Sequence, residues 1–145
     1  MKTKLNMVLL TVVMTVIVFN TTNFSQEKPE SKSDELVILW TSADKEVAEN
    51  IVFMFTQNAP KYGWWEASKI TFIIWGPSAN LLSKDEELQK RIGEMKTVGI
   101  NVVACKACAD NYQVSEKLTQ IGVDVKYMGK VLANFIKEGR KILTF

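Results

Sequence analysis

From residue 35 onward, short solid apolar runs alternate with longer segments whose apolar positions recur three and four apart. Leu36 to Thr41 (LVILWT) and Lys69 to Trp75 (KITFIIW) are near-continuous apolar runs, the pattern of strands covered on both faces. Ile100 to Ala104 (INVVA) gives a third strand, Val123 to Tyr127 a weaker fourth, and Arg140 to Thr144 a fifth. The intervening segments have helical spacing. Asp44 to Asn58 sets Val47, Ile51 and Phe55 on one stripe, flanked by Ala48, Val52 and Ala59, and Pro60 and Gly63 end it. Phe53 and Met54 fall off that stripe. The helix is therefore apolar over more of its circumference than one sheet face requires, which points to a subunit contact or to burial by neighbouring loops. Gly76-Pro77-Ser78 breaks the second strand. Ser83 and Glu86 have the spacing of a capping box ahead of Leu88, Ile92 and Met95, and Gly99 stops that helix. Asp110 or Asn111 caps the next, with Val114, Leu118 and Ile121 as its stripe, and Val131 to Lys137 forms the last.

This alternation predicts an α/β fold: a three-layer α/β/α arrangement around a five-stranded, mostly parallel sheet. In such folds ligands gather at the carboxyl ends of the strands. That edge collects Thr41 and Ser42, Gly76 to Ser78, Cys105 to Cys108, and Met128 with Gly129.

The chain before residue 35 has a different character. Lys2 and Lys4 precede 13 apolar or threonine residues, Met7 to Phe19. That run is short of the roughly 20 residues a membrane span takes. A basic start and a short apolar core predict a signal peptide over residues 1–25, with an uncleaved anchor as the alternative, and hence a periplasmic or secreted protein. Residues 26–34 (QEKPESKSD) are polar and predict a disordered linker, so the domain spans residues 35–145.

Charge changes one inference. The chain has 18 basic and 16 acidic residues, and two of the lysines lie in the leader, so the mature part carries 16 of each. No basic field remains for nucleic acid. The chain has no histidine, which removes imidazole acid–base chemistry, the common hydrolase triads and histidine metal sites. Two cysteines alone do not complete a zinc site within one chain, although two subunits could supply four thiolates. No cofactor is called for.

The two cysteines are Cys105 and Cys108, spaced as CxxC after the third strand. If the motif straddles a helix start, the amides of that end favour a thiolate at Cys105, and the charge of Lys106 adds to the effect, while Asp110 opposes it. Cys105 is then the nucleophile and Cys108 the resolving thiol, suited to exchange with a disulfide or persulfide. The alternative is a non-catalytic module with a structural Cys105–Cys108 disulfide, which export would permit, although so short a ring is an inefficient staple. Thr41, Ser42, Gly76 and Ser78 are candidates for holding a small anion or nucleotide through hydroxyls and backbone amides. The plainer reading is a turn that caps a helix, and no phosphate-loop motif is present. Trp64 and Trp65 are either exposed aromatics at a contact surface or a cover packed under their loop.

Leu36 to Trp65, IIWGPSANLL (Ile73 to Leu82), VVACKACADNYQV (Val102 to Val114) and the closing GVDVKYMGKVLANFIKEGRKILTF together resemble the DsrE-like family. The resemblance implies a small five-stranded parallel α/β domain that assembles as homo-oligomers such as trimers or hexamers. It also implies sulfur-relay chemistry, with a persulfide carried by a cysteine after a central strand and a sulfur donor or thiol protein as partner. Cys105 matches that carrier position, and Cys108 marks a two-cysteine variant of the loop. The known relay proteins act in the cytoplasm, so the exported address is a departure.

Overall fold

The computed structural model describes residues 34–145. The predicted signal peptide and all of the linker but Asp34 lie outside the described residues. Among the described residues, no helix is long and apolar enough to cross a membrane.

Five strands form one parallel sheet: β1 (Leu36–Trp40), β2 (Ile70–Ile74), β3 (Asn101–Cys105), β4 (Asp124–Lys126) and β5 (Lys141–Thr144), in the order β4-β3-β2-β1-β5. The apolar runs LVILW and ITFII occupy the two strands nearest the middle, and β2 is buried along its whole length. The edges β4 and β5 are largely exposed and carry Asp124, Lys126 and Lys141, charges that discourage pairing with another strand.

The first helical region runs from α1 (Lys45–Val47) through a π-helical segment (Ala48–Phe53) into α2 (Met54–Lys61). Asp44 caps it, its carboxylate accepting from the amides of Glu46 and Val47. The wider π turns shift the phase of the helix. The residues that reach the core are Ala48, Val52, Phe53, Thr56 and Ala59, and Ile51 of the predicted stripe turns outward. Phe53, off the predicted stripe, is fully buried for the same reason.

After β2 come α3 (Pro77–Lys84) and α4 (Glu86–Thr97). α3 bears out the plainer sequence reading of Gly76-Pro77-Ser78 as a turn that caps a helix, although the apolar pattern gave that helix no range of its own. The same Pro77 sits in the first turn, where a missing N–H costs nothing. The predicted capping box does not form. Asp85 caps α4 by accepting from the Leu88 amide, while Ser83 donates back to the Asn80 carbonyl within α3. α5 (Lys106–Asn111) leaves β3 without a turn, and α6 (Ser115–Gln120) follows. α7 (Gly129–Lys137) joins β4 to β5.

The layers are unequal. Leu36, Ile38, Trp40, Phe72, Ile74, Val102 and Ala104 face the helices between β1 and β4. Val37, Ile73, Val103 and Cys105, which alternate with them, face the opposite side, where Val131, Leu132 and Phe135 of α7 pack. The larger core centres on three rings: Phe53 lies edge-on to Trp40 at 5.2 Å and to Phe72 at 5.4 Å, and the Arg91 guanidinium covers Phe53 at 4.9 Å. Phe53→Ala should therefore cost about 3–5 kcal/mol. Urea unfolding checks this, with a lower midpoint and an unchanged slope expected.

Candidate functional site

The strand order explains where a site can form. From β1 to β4 the chain steps one way across the sheet and its helices stay on one face; the β4-to-β5 connection returns the other way, and α7 lies on the opposite face. Right-handed crossovers impose this. At the carboxyl edge, β3 sends its chain to one face and its neighbour β4 to the other. The ends of these two strands form the topological switch point of the sheet, the place where ligands gather in folds of this kind. Cys105, the last residue of β3, pairs in register with Lys126, the last residue of β4.

Cys105 occupies the cap position of α5, with extended backbone, and Cys108 is in the first turn of that helix. Both are free thiols and approach each other to 3.3 Å. Cys105 is only 3% exposed and belongs to the apolar cluster with Val37, Ile73, Val103 and Met128. Cys108 is partly exposed and packs against that cluster from outside, as does Trp75. Burial pushes the Cys108 thiol above its ordinary range, its hydrogen bond with Cys105 adds to this, and the Gly76 backbone N–H, which donates to the Cys108 sulfur, pulls the other way.

Gly76 is thus the member of the Gly76 to Ser78 turn that reaches the cysteines. Its φ of 70° with ψ of −134° is open to glycine and strained for other residues. Ser78 is fully buried and works behind it. Its hydroxyl donates to the Trp40 carbonyl at 2.7 Å and accepts from the Trp75 amide at 3.0 Å, so it ties the ends of β1 and β2 together. Thr41 and Ser42 serve the next joint along. The Thr41 hydroxyl and amide both donate to the Phe145 carbonyl oxygen at 2.7 Å, and the Ser42 hydroxyl accepts from the Asp44 amide at 3.0 Å. The sequence-predicted binding hydroxyls are therefore engaged in internal bonds, and among these four residues Gly76 is the one placed against the thiols.

Lys106 is held away from a thiol-activating role. Its ammonium pairs with Asp110 at 2.7 Å, and the Ser115 hydroxyl donates to the same carboxylate at 2.6 Å. Those two hydrogen bonds hold the Asp110 carboxyl below its usual range, and Asp110 in turn raises Lys106. The cation that sequence reasoning assigned to Cys105 and the anion that it set against it cancel as a pair.

Two residues after β4 lie nearby: Met128, which the sequence pattern already sets at the carboxyl edge, and Tyr127, which it gave little reason to single out. Met128, almost fully buried, shares the apolar cluster with Cys105. Tyr127 is 68% exposed, and the Lys106 ammonium lies 5.8 Å from its ring centre. Both follow β4 directly, and only the strand order, which sets β4 beside β3, brings them to the cysteines.

Comparison with known proteins gives a consistent picture. A conserved protein of unknown function from Bacteroides thetaiotaomicron, BT1422, is 38% identical in sequence; the match covers 77% of this chain and 95% of that one, with a TM-score of 0.72. The ychN protein of E. coli shares the fold at 16% identity and a TM-score of 0.58, over 77% of this chain and 98% of its own. No curated protein gives a significant match. The DsrE/DsrF-like family model matches residues 16–145, and with nearly the whole chain covered, the protein belongs to that family.

Proposed function

We propose that this is a sulfur-relay protein in which Cys105 and Cys108 together accept a sulfane sulfur and pass it on. The observation that carries this reading is the pair of free thiols, 3.3 Å apart, at the topological switch point of a DsrE-type fold. Two thiols at that distance can interconvert persulfide, disulfide and dithiol states with little movement of the backbone. The basic start and short apolar run of residues 1–19 support export, so the cycle would run in the periplasm or outside the cell. The burial of Cys105 favours a second reading, a structural disulfide in a non-catalytic module. Treatment of the reduced protein with a small persulfide, followed by peptide mass spectrometry, decides between them. The relay reading expects either the mass of one added sulfur on a peptide holding the pair or release of sulfide with the pair left as the disulfide. Thiols that react with a small alkylating reagent yet take up no sulfur would support the structural one.

The elevated Cys108 thiol gives a pH dependence. The folded protein holds this proton more tightly than the unfolded chain, so the associated stability is intact below the unfolded value and is lost as pH rises through the folded one. Alkylation of Cys108 should accordingly reach half its plateau rate at a higher pH than in a peptide of the same sequence. Equal midpoints would show that burial does not govern this thiol.

The homo-oligomer implied by the family resemblance has a matching surface. Ile51 and Met54 are exposed on the first helical region, and beside them Tyr62 and Trp64, 59% and 57% exposed, stack at 5.5 Å, with Phe55 6.2 Å from Trp64. Trp65 turns inward instead and donates from its indole to the Asp34 carbonyl at 2.7 Å. We assign the outward face to contact with a second copy of the chain. Light scattering should find an oligomer for the native protein and a folded monomer for the Met54→Lys, Trp64→Glu double variant. A monomeric native protein would remove this assignment.

A further inference from the structure

We propose that Cys108 is the thiol that takes the sulfur and that Cys105 discharges it, the reverse of the order that CxxC spacing suggests. The inference rests on the relay reading and adds the direction of transfer within the pair. A donor persulfide must bring its outer sulfur in line with the attacking thiolate. Cys105 offers no such approach: it is walled by Val37, Ile73, Val103 and Met128, and an outer sulfur bound to it would have to fit inside that cluster. Cys108 sits one helical turn further on and reaches the surface. The backbone N–H of Gly76 also points at the Cys108 sulfur, where it stabilises negative charge during attack and release. The Ser78 bridge between β1 and β2 holds the turn that aims it.

The chemistry balances with a small persulfide, R–S–SH, as donor. The Cys108 thiol loses its proton to solvent, and the thiolate attacks the outer sulfur. The donor S–S bond breaks, RS⁻ leaves and takes up a proton, and Cys108 carries the persulfide. The Cys105 thiol then loses its proton, and its thiolate attacks the inner sulfur of that persulfide, 3.3 Å away in the resting pair. The Cys105–Cys108 disulfide forms, and HS⁻ leaves with both electrons of the broken bond. The sulfane sulfur is reduced to sulfide and the two cysteines are oxidised. A dithiol reductant restores the pair by exchange. Hydrosulfide departs from the exposed side, so no charged product has to escape the apolar cluster.

The test uses the full chain as wild type, Cys105→Ser and Cys108→Ser, with Cys105→Ala as a second variant because a serine hydroxyl lacks a partner in that apolar site. Each reduced protein is treated with glutathione persulfide and followed by peptide mass spectrometry and a sulfide assay. Cys108→Ser should load sulfur about tenfold more slowly than wild type, reflecting access to the remaining thiol. Both Cys105 variants should load on Cys108 and keep the sulfur, releasing no sulfide. The wild type should release sulfide and finish as the disulfide. If Cys108→Ser loads Cys105 at the wild-type rate, the order is overturned while the relay reading stands. If the wild type takes up no sulfur although its thiols can be alkylated, the relay reading falls and the order with it.

Discussion

The handedness of parallel crossovers is the constraint on which the site depends. A right-twisted strand and a right-handed helix pack back onto the sheet in one sense, so the direction of travel across the sheet decides which face each helix covers. Travel reverses once, after β4. That reversal moves α7 to the second face and makes the ends of β3 and β4 the topological switch point, where the CxxC motif lies. Among the described residues, α7 is the helix on the second face, with Val131, Leu132 and Phe135 packed against the cluster of Val37, Ile73 and Val103. The thiol pair sits at one end of that thin layer, next to Met128, where the chain enters α7.

A second chain of contacts links the rest of the sheet edge to the same point. The fully buried Ser78 hydroxyl bonds both the Trp40 carbonyl and the Trp75 amide, which also bond each other at 2.9 Å, so β1 and β2 end in a fixed relation. Gly76, between Trp75 and α3, takes a backbone conformation reserved for glycine and turns its N–H onto Cys108. The hydroxyls that looked like a ligand cradle in the sequence make internal hydrogen bonds, and Gly76 connects that edge to the Cys108 sulfur. Trp40 shows the same economy at the other end of the joint. Its carbonyl is bonded to Ser78, and its ring closes the aromatic group with Phe53 and Phe72.

The strands and their alternation with helices were legible in the sequence because central parallel strands are apolar on both faces and stand out as LVILW and ITFII. The phase of the first helix was not. A regular 3.6-residue period selects Val47, Ile51 and Phe55, but six residues in π geometry rotate the stripe and bury Phe53 instead. Nothing in residue type announces a π segment. The start of α3 was readable from a glycine and a proline that mark a turn capping a helix, but its length was not, because its apolar positions are few. At the site, the position of the CxxC after β3 and across a helix start was readable from spacing. The exposure of each cysteine was not, because it depends on which face Cys105 presents and on what α7 brings over it. The pairing of Lys106 with Asp110 is a four-residue helical contact, and it becomes evident once α5 is known to begin directly after β3.

Without histidine, and with its nearest cation engaged, the site has no strong internal base to ionise a thiol. What remains is short range: the Gly76 amide, the Cys105–Cys108 hydrogen bond, and solvent access to one of the two sulfurs. These contributions act in different directions. Burial pushes the Cys108 thiol above its ordinary range and so disfavours the attacking thiolate, whereas proximity would favour the intramolecular step of the proposed relay. A pair built this way discriminates by access and by the reactivity of the donor. A soft, small sulfane donor needs little room, whereas a folded protein disulfide needs a wider approach to the partly exposed Cys108 sulfur. In the order proposed, the burial that would make Cys105 a poor first acceptor also holds its sulfur 3.3 Å from Cys108, beside the bond that must break.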